Sequence, residues 1–169
     1  MPKTKKSQKE ININFLPEEI QEKINKVFDT YFGFGYYKYK RPEKESSVIF
    51  PNKISSMKHT EVRDLHGEYE SFLSYTRDKL KYYIVAENVV KKETELAYNR
   101  AMAGLRDAKG NIESKKAEAK IDEGYLALLD YKEHISSIIS MLRIDEEKFV
   151  SNSMSMRAEL KARELNTNF

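Results

Sequence analysis

Residues 64–106 read DLHGEYESFLSYTRDKLKYYIVAENVVKKETELAYNRAMAGLR, a run without proline and with glycine only at Gly67 and Gly104, near its two ends. Within it Leu65, Tyr69, Phe72, Leu73, Leu80, Tyr83, Ile84 and Val90 recur at spacings of three, four or seven. That periodicity is the mark of one amphipathic helix and not of alternating strands. A helix of roughly 40 residues is about 60 Å long. Its apolar face therefore needs a cover of comparable length.

A second run supplies one. The turn signal Asp107-Ala108-Lys109-Gly110-Asn111 is followed from about Ser114 by renewed helical spacing of Ile121, Tyr125, Leu128, Leu129, Ile135, Ile138, Ile139 and Leu142, with Gly124 as a weak point. Two long helices joined by a short loop form an antiparallel hairpin, assigned here to residues 64–149, whose faces cover each other over part of their length. Such a hairpin has a thin core, so further copies are expected to bury what stays exposed, giving a homo-oligomer.

The flanking segments differ. Residues 1–13 form a basic, polar arm expected to be disordered alone. Over 14–63 a short helix opens at Pro17, Glu18 and Glu19 and carries a stripe of Ile20, Ile24, Val27, Phe28 and Tyr31, before Gly33 and Gly35 end it. Tyr36, Tyr37 and Tyr39 then interleave with Lys38, Lys40 and Arg41, a mixture suited to stacking on bases and meeting phosphates. The same letters suit a strand edge, with Ser47, Val48, Ile49 and Phe50 as its partner in a small β-hairpin, or an extended arm. Residues 53–63 connect to the long helix, with Thr60 or Asp64 as its cap. In 150–169, Ser151, Ser153 and Ser155 lower helix propensity, while Met154, Met156, Arg157 and Leu160 permit a C-terminal helix in an oligomerisation segment. A break around 151–155 would let that segment fold back or reach a neighbour. The expected fold class is thus mainly α: a long helical hairpin with a short N-terminal helix, a tyrosine-rich arm and a C-terminal helix, in an oligomer.

Composition narrows the chemistry. Cysteine is absent, which removes disulfides, thiol catalysis and most structural zinc sites and suits a reducing interior. No apolar stretch approaches membrane-span length and the opening MPKTKKSQKE lacks a hydrophobic signal segment, so neither a membrane span nor export is expected. His59, His66 and His134 share no metal-binding motif, and the GFG at 33–35 lacks the remainder of a phosphate loop. The acid pairs Asp122/Glu123 and Glu146/Glu147 read as surface charge. No catalytic, metal or cofactor site, and hence no enzyme, is expected.

The formal charge of +3 hides a segregation: residues 77–120 hold eleven basic against seven acidic residues, and 121–147 hold two against seven. Paired helices often differ in this way because they attract one another. A polyanion surface is the other reading. Arg100 and Arg106 approach the hairpin turn from the first long helix, Lys109 sits in the turn, and Lys115, Lys116 and Lys120 open the second helix, while Lys91 and Lys92 extend the basic character backwards together with Lys79 and Lys81. Repeated around an oligomer, such patches would follow a single strand through phosphate contacts.

Over about 65–164, in LHGEYESFLSY, AYNRAMAGLR, GNIESKKAEAKIDEGYLALLDYKEHI and SNSMSMRAELKARE, the chain resembles the recombination mediator proteins of large tailed bacteriophages, small helical oligomers that assist loading of a recombinase onto single-stranded DNA. The resemblance implies single-strand binding near Arg100 and Arg106 and oligomer formation through the region of Ser155, Arg157 and Glu159. It also implies a phage recombinase and a single-strand-binding protein as partners, a homo-oligomer such as a ring, and the cytoplasm of the infected bacterial host as location. The N-terminal sixty residues with their tyrosine-rich arm depart from the family pattern. The alternative expectation is a structural or protein-interaction module of a phage: a scaffold, a virion component or an inhibitor of a host protein.

Overall fold

The proline-free run folds as one uninterrupted helix in a computed structural model that describes residues 13–33, 50–51 and 53–167. In chain order the elements are α1 (Glu18–Phe32), a 3-10 turn (Ile54–Ser56), α2 (His59–Gly104), α3 (Ile112–Lys120) and α4 (Glu123–Thr167), with no strand among the described residues. These residues gather into two compact units, one of 50–80 with 141–167 and the other of 13–33 with 81–140, so α2 and α4 each contribute to both. The expected tyrosine-rich arm or hairpin, with Tyr36, Tyr37, Lys38, Tyr39, Lys40 and Arg41, lies outside the described residues.

In the first unit the opening of α2 packs antiparallel on the end of α4. As the numbers climb along α2 through His66, Tyr69 and Arg77, their partners descend along α4 through Ser153, Phe149 and Glu146. Val62, Tyr69, Phe72, Leu73, Phe149 and Met156 form the buried cluster, with Phe50, Ile54 and Met57 packed against it from the segment before α2. Phe149 is its centre, stacked on Phe72 at 5.6 Å and tilted against Tyr69 at 6.2 Å. The Arg163 guanidinium fastens the 3-10 turn: Nη1 donates to the Met57 carbonyl at 2.7 Å and Nη2 to the Ile54 carbonyl at 2.9 Å, while Nε is held by Glu159 at 2.7 Å. A planar guanidinium holds its donors in a rigid fork spread over three nitrogens, whereas the three donors of a lysine radiate from one.

In the second unit α1, the end of α2, α3 and the opening of α4 come together. Pro17 caps α1, and Gly33, at φ +93°, ends it. Ile20, Ile24 and Phe28 are buried, as the stripe requires, but Tyr31 at its end is 76% exposed. Phe28 lies 5.1 Å from Tyr82 of α2, whose hydroxyl donates to Asn25 Oδ1 at 2.7 Å. On the α4 side Ser136 donates to Glu87, and Tyr98 meets Tyr125 at 5.7 Å, again in antiparallel order. Ile13 and Leu16 are buried and Phe15 packs edge-on against His134 at 4.5 Å, so the core takes in Ile13, which the sequence places in the N-terminal arm.

Several boundaries differ from expectation for local reasons. Helix α2 begins before Thr60 or Asp64 because Glu61 Oε2 accepts from the Lys58 N–H at 2.8 Å, the backward half of a capping box. The second helical run is two helices: it breaks at Ile121, 70% exposed, and restarts where Asp122 Oδ1 accepts from the Tyr125 N–H at 2.9 Å. No break occurs at 151–155, and α4 runs on to Thr167 without a separate C-terminal helix. Ser155 returns its hydroxyl to the Ser151 carbonyl at 3.0 Å, and Ser153 turns inward, 4% exposed, onto Glu70 and His66. Burial of Phe149, Ser153 and Met156 along that stretch outweighs the weak propensity of its serines.

Two substitutions test the first core. Phe149→Ala should lower unfolding free energy by about 3–5 kcal/mol in chemical denaturation. Tyr69→Phe should stay within about 1 kcal/mol of the parent, because the buried Tyr69 hydroxyl and Asn152 Nδ2 have no hydrogen-bond partner among the described residues. Burial holds the Tyr69 phenol above its ordinary 10.0. The stability this contributes is complete below about pH 10 and is lost as pH rises through the raised value, so Tyr69→Phe should flatten the alkaline loss. A cost of several kcal/mol for Tyr69→Phe would contradict this reading.

Candidate nucleic-acid interface

The expected cations of 91–120 all lie in the second unit. Helix α2 ends at Gly104, and the chain turns through Leu105 to Gly110 before α3 starts. Asn111 caps α3, its Oδ1 accepting from the Ser114 N–H at 2.8 Å while Ser114 Oγ donates to the Asn111 carbonyl at 2.9 Å. Gly110 sits at φ +143°, and a Cβ there would meet Ser114 Oγ at 2.6 Å. Only glycine lets the chain pass so close to its own cap. Across the turn Lys115 Nζ donates to the Arg106 carbonyl at 2.7 Å, which fixes the first turn of α3 against the end of α2.

The resulting basic surface is exposed, with Asp107, Glu113 and Glu118 diluting its field. Arg100, Arg106, Lys109, Lys116 and Lys120 are exposed, as are Lys91 and Lys92, while Lys115 is half-buried over the turn. None of them makes an ion pair with a described residue. Arg100 is the exception in electrostatic terms: it lies near enough to Glu19 of α1 to help hold that carboxyl below its usual range, an effect due first to the Lys23 hydrogen bond and charge. Other cations have structural partners. Lys23 is shared between Glu19 at 2.9 Å and Glu93 at 3.0 Å, and Arg77 is bonded to Glu146 at 2.7 Å in the first unit. The charge segregation thus has two outlets, pairing for some cations and open solvent for those around the turn.

Two grooves flank Lys91. One, with Lys23, Val27 and the exposed Tyr31 of α1 on its walls, also takes in Lys92 and Glu93. The other is a hollow of about 280 Å³ among α2, α3 and α4, where Lys91, Lys120 and Lys132 surround the Tyr98 and Tyr125 pair. Thr94 and Leu129 line it as well, and among the described residues Glu95 is the one acid on its wall. Sequence reasoning named Lys91 and Lys120 but missed Lys132, Tyr98 and Tyr125, because Lys132 sits in the acidic half of the chain. A signal did exist: Lys91 and Tyr98 on α2, and Tyr125 and Lys132 on α4, are each seven residues apart and so share one helix face.

The segment assigned to oligomerisation divides. Met156 is fully buried in the first unit's own core and Leu160 packs against that core, whereas Met154 and Arg157 are exposed. Met154 is therefore the apolar member still available to another chain, together with Met141, Ile144 and Leu165, each more than half exposed on α4.

A serine, histidine and carboxylate also come together in the first unit. Ser153 donates to Glu70 and lies 3.3 Å from His66 Nε2, and Glu70 lies 3.7 Å from the same nitrogen. Both partners converge on one ring nitrogen, and the hydroxyl proton goes to the carboxylate. That wiring provides a part-buried polar link between α2 and α4 and not the relay of a hydrolase, in which serine and acid use opposite ring nitrogens. Among the described residues no group of three or more metal-ligating side chains stands close enough to hold an ion, and no helix is long and apolar enough to cross a membrane.

No family model, curated protein or solved structure matches this chain.

The turn that presents the cations depends on Gly110. Gly110→Ala should destabilise the protein by about 1–3 kcal/mol through forced positive φ and displacement of the Ser114 hydroxyl from the Asn111 carbonyl. Hydrogen exchange of the 112–120 amides should accelerate more than that of 141–160; unchanged exchange in α3 would contradict the assigned role.

Proposed function

We propose that the protein is a non-enzymatic single-stranded DNA-binding protein that assists loading of a recombinase in phage recombination, repair or replication. The observation that carries the binding step is the set of exposed cations Arg106, Lys109, Lys116 and Lys120, in the turn after α2 and along α3, which make no ion pair with a described residue. Cations that make no ion pair within the fold are available to neutralise phosphates, and release of the cations condensed on the nucleic acid makes affinity fall steeply with salt. The recombinase-loading role, the single-strand-binding protein as second partner and the phage setting rest on the resemblance in 65–164. In this reading the protein holds the backbone and leaves bases accessible for transfer. Copies assembled through the exposed apolar residues of α4 repeat the patch along the strand, and avidity then compensates for weak single sites.

A second reading, a structural or protein-interaction module, is favoured by a different observation. Met141, Ile144, Met154 and Leu165 remain exposed on α4, apolar area that a protein partner would cover.

Binding of the full chain to a labelled single strand and to a duplex of equal length, each across a salt series, separates the readings. Tight, salt-sensitive preference for the single strand is expected. The triple variant Arg106→Ala/Lys109→Ala/Lys116→Ala should weaken it and reduce the slope of log affinity against log salt by about 2. No binding to either nucleic acid at low salt would remove the DNA reading and leave the interaction module.

A further inference from the structure

The hollow among α2, α3 and α4 differs from the rest of the basic surface because it combines cations with rings. Its floor is mostly apolar, built from the Tyr98 and Tyr125 pair with Leu129 and the buried Thr94, whose hydroxyl is already engaged by the Val90 carbonyl at 2.8 Å. Both tyrosines are partly exposed, and their rings lie 5.7 Å apart, tilted by 52° and not stacked face to face. Around them stand three ammonium groups on three helices, Lys91, Lys120 and Lys132, against one carboxylate, Glu95. None of the three lysines is committed to an ion pair with a described residue. An apolar ring floor inside a cationic rim matches a ligand that is flat and aromatic at one end and anionic at the other. At about 280 Å³ the hollow has room for one such unit and not for a folded partner.

We infer that this hollow is a one-nucleotide subsite: an unpaired base stacks on Tyr98 and Tyr125 while its phosphates meet Lys91, Lys120 and Lys132. The inference rests on the single-strand reading and extends it, because it assigns a source of selectivity that the turn cations lack. Ammonium groups at the turn hold any phosphate backbone, single or double. A base reaches the ring floor only when it is out of a duplex, so the hollow excludes paired DNA on steric grounds. Stacking is tolerant of base identity, since every base offers a π face, and the subsite is accordingly blind to sequence. Lys132 and the two tyrosines become binding residues that charge patterning alone does not reveal.

The experiment compares two labelled oligomers of about 15 nucleotides, a typical length for one such site, one of thymidylate and one with the same backbone but no bases. Each is titrated with the full-length protein at fixed salt. The parent chain should bind the thymidylate strand roughly tenfold more tightly than the abasic one. Tyr98→Leu should erase that preference, and Tyr98→Phe, which keeps a ring face, should retain it. Lys132→Ala should weaken both strands and lower the salt slope by about 0.7. It also serves as the decisive variant if Tyr98→Leu loses its cooperative thermal transition. Equal affinity of the parent for the two strands, or an unaltered preference in a folded Tyr98→Leu, would overturn the subsite while leaving phosphate binding by the turn cations in place. Failure of both strands to bind would instead overturn the single-strand reading and the subsite with it.

Discussion

A helix of 46 residues cannot bury its own side chains, and α2 carries buried residues from Val62 to Thr94. Residues 59–80 are covered by the end of α4 and by the segment before α2, which Arg163 fastens through the Ile54 and Met57 carbonyls. Residues 81–104 are covered by α1 and by the opening of α4, with Tyr82 reaching Asn25 and Phe28 on one side and Glu87 reaching Ser136 on another. Because each stretch is covered by more than one element, the buried face of α2 is wider than a single stripe. Tyr75, Thr76, Asp78, Ala86 and Val89 are buried although they lie outside the expected pattern.

The same constraint sorts the cations. A lysine or arginine next to a covering element finds a carboxylate, as Arg77 finds Glu146 and Lys23 finds Glu93. Beyond the turn the covering helices give out. Arg106, Lys109 and Lys116 are exposed and make no ion pair with a described residue, although Asp107, Glu113 and Glu118 are interleaved with them, and Lys115 uses its charge on a backbone carbonyl. Exposed pairs stabilise little, so these side chains contribute to the surface field more than to folding. The groove cations differ again: Lys91, Lys120 and Lys132 come from three helices and meet over a tyrosine pair, an arrangement that depends on the fold and not on any run of basic letters.

The helical class, the turn at 107–111, the Pro17 start and the Gly33 stop were legible because each depends on short-range chemistry: periodicity, a fixed proline φ, a glycine at positive φ. The start of α2 and the break at Ile121 were less so, since side-chain caps three residues away decide them and several residues of suitable type compete for the role. The continuity of α4 through its serines was illegible for a further reason. Ser153 is held by Glu70 and His66, more than eighty residues away in the chain. Of the candidate site, the exposed cations followed from charge and turn position, whereas the ring-floored hollow required knowing that the faces bearing Tyr98 and Tyr125 meet. The tyrosine-rich stretch at 36–41 lies outside the described residues and adds nothing to that comparison.

Binding of a single strand by the second unit is the central claim, and backbone hydrogen exchange of the full chain, with and without a saturating single-stranded oligonucleotide, tests it most directly. The account predicts slower exchange in residues 91–132, at the end of α2, the turn, α3 and the opening of α4, with the core amides around Phe149 and Met156 unchanged. Slowing confined to 141–167, or no slowing anywhere at low salt, would contradict it.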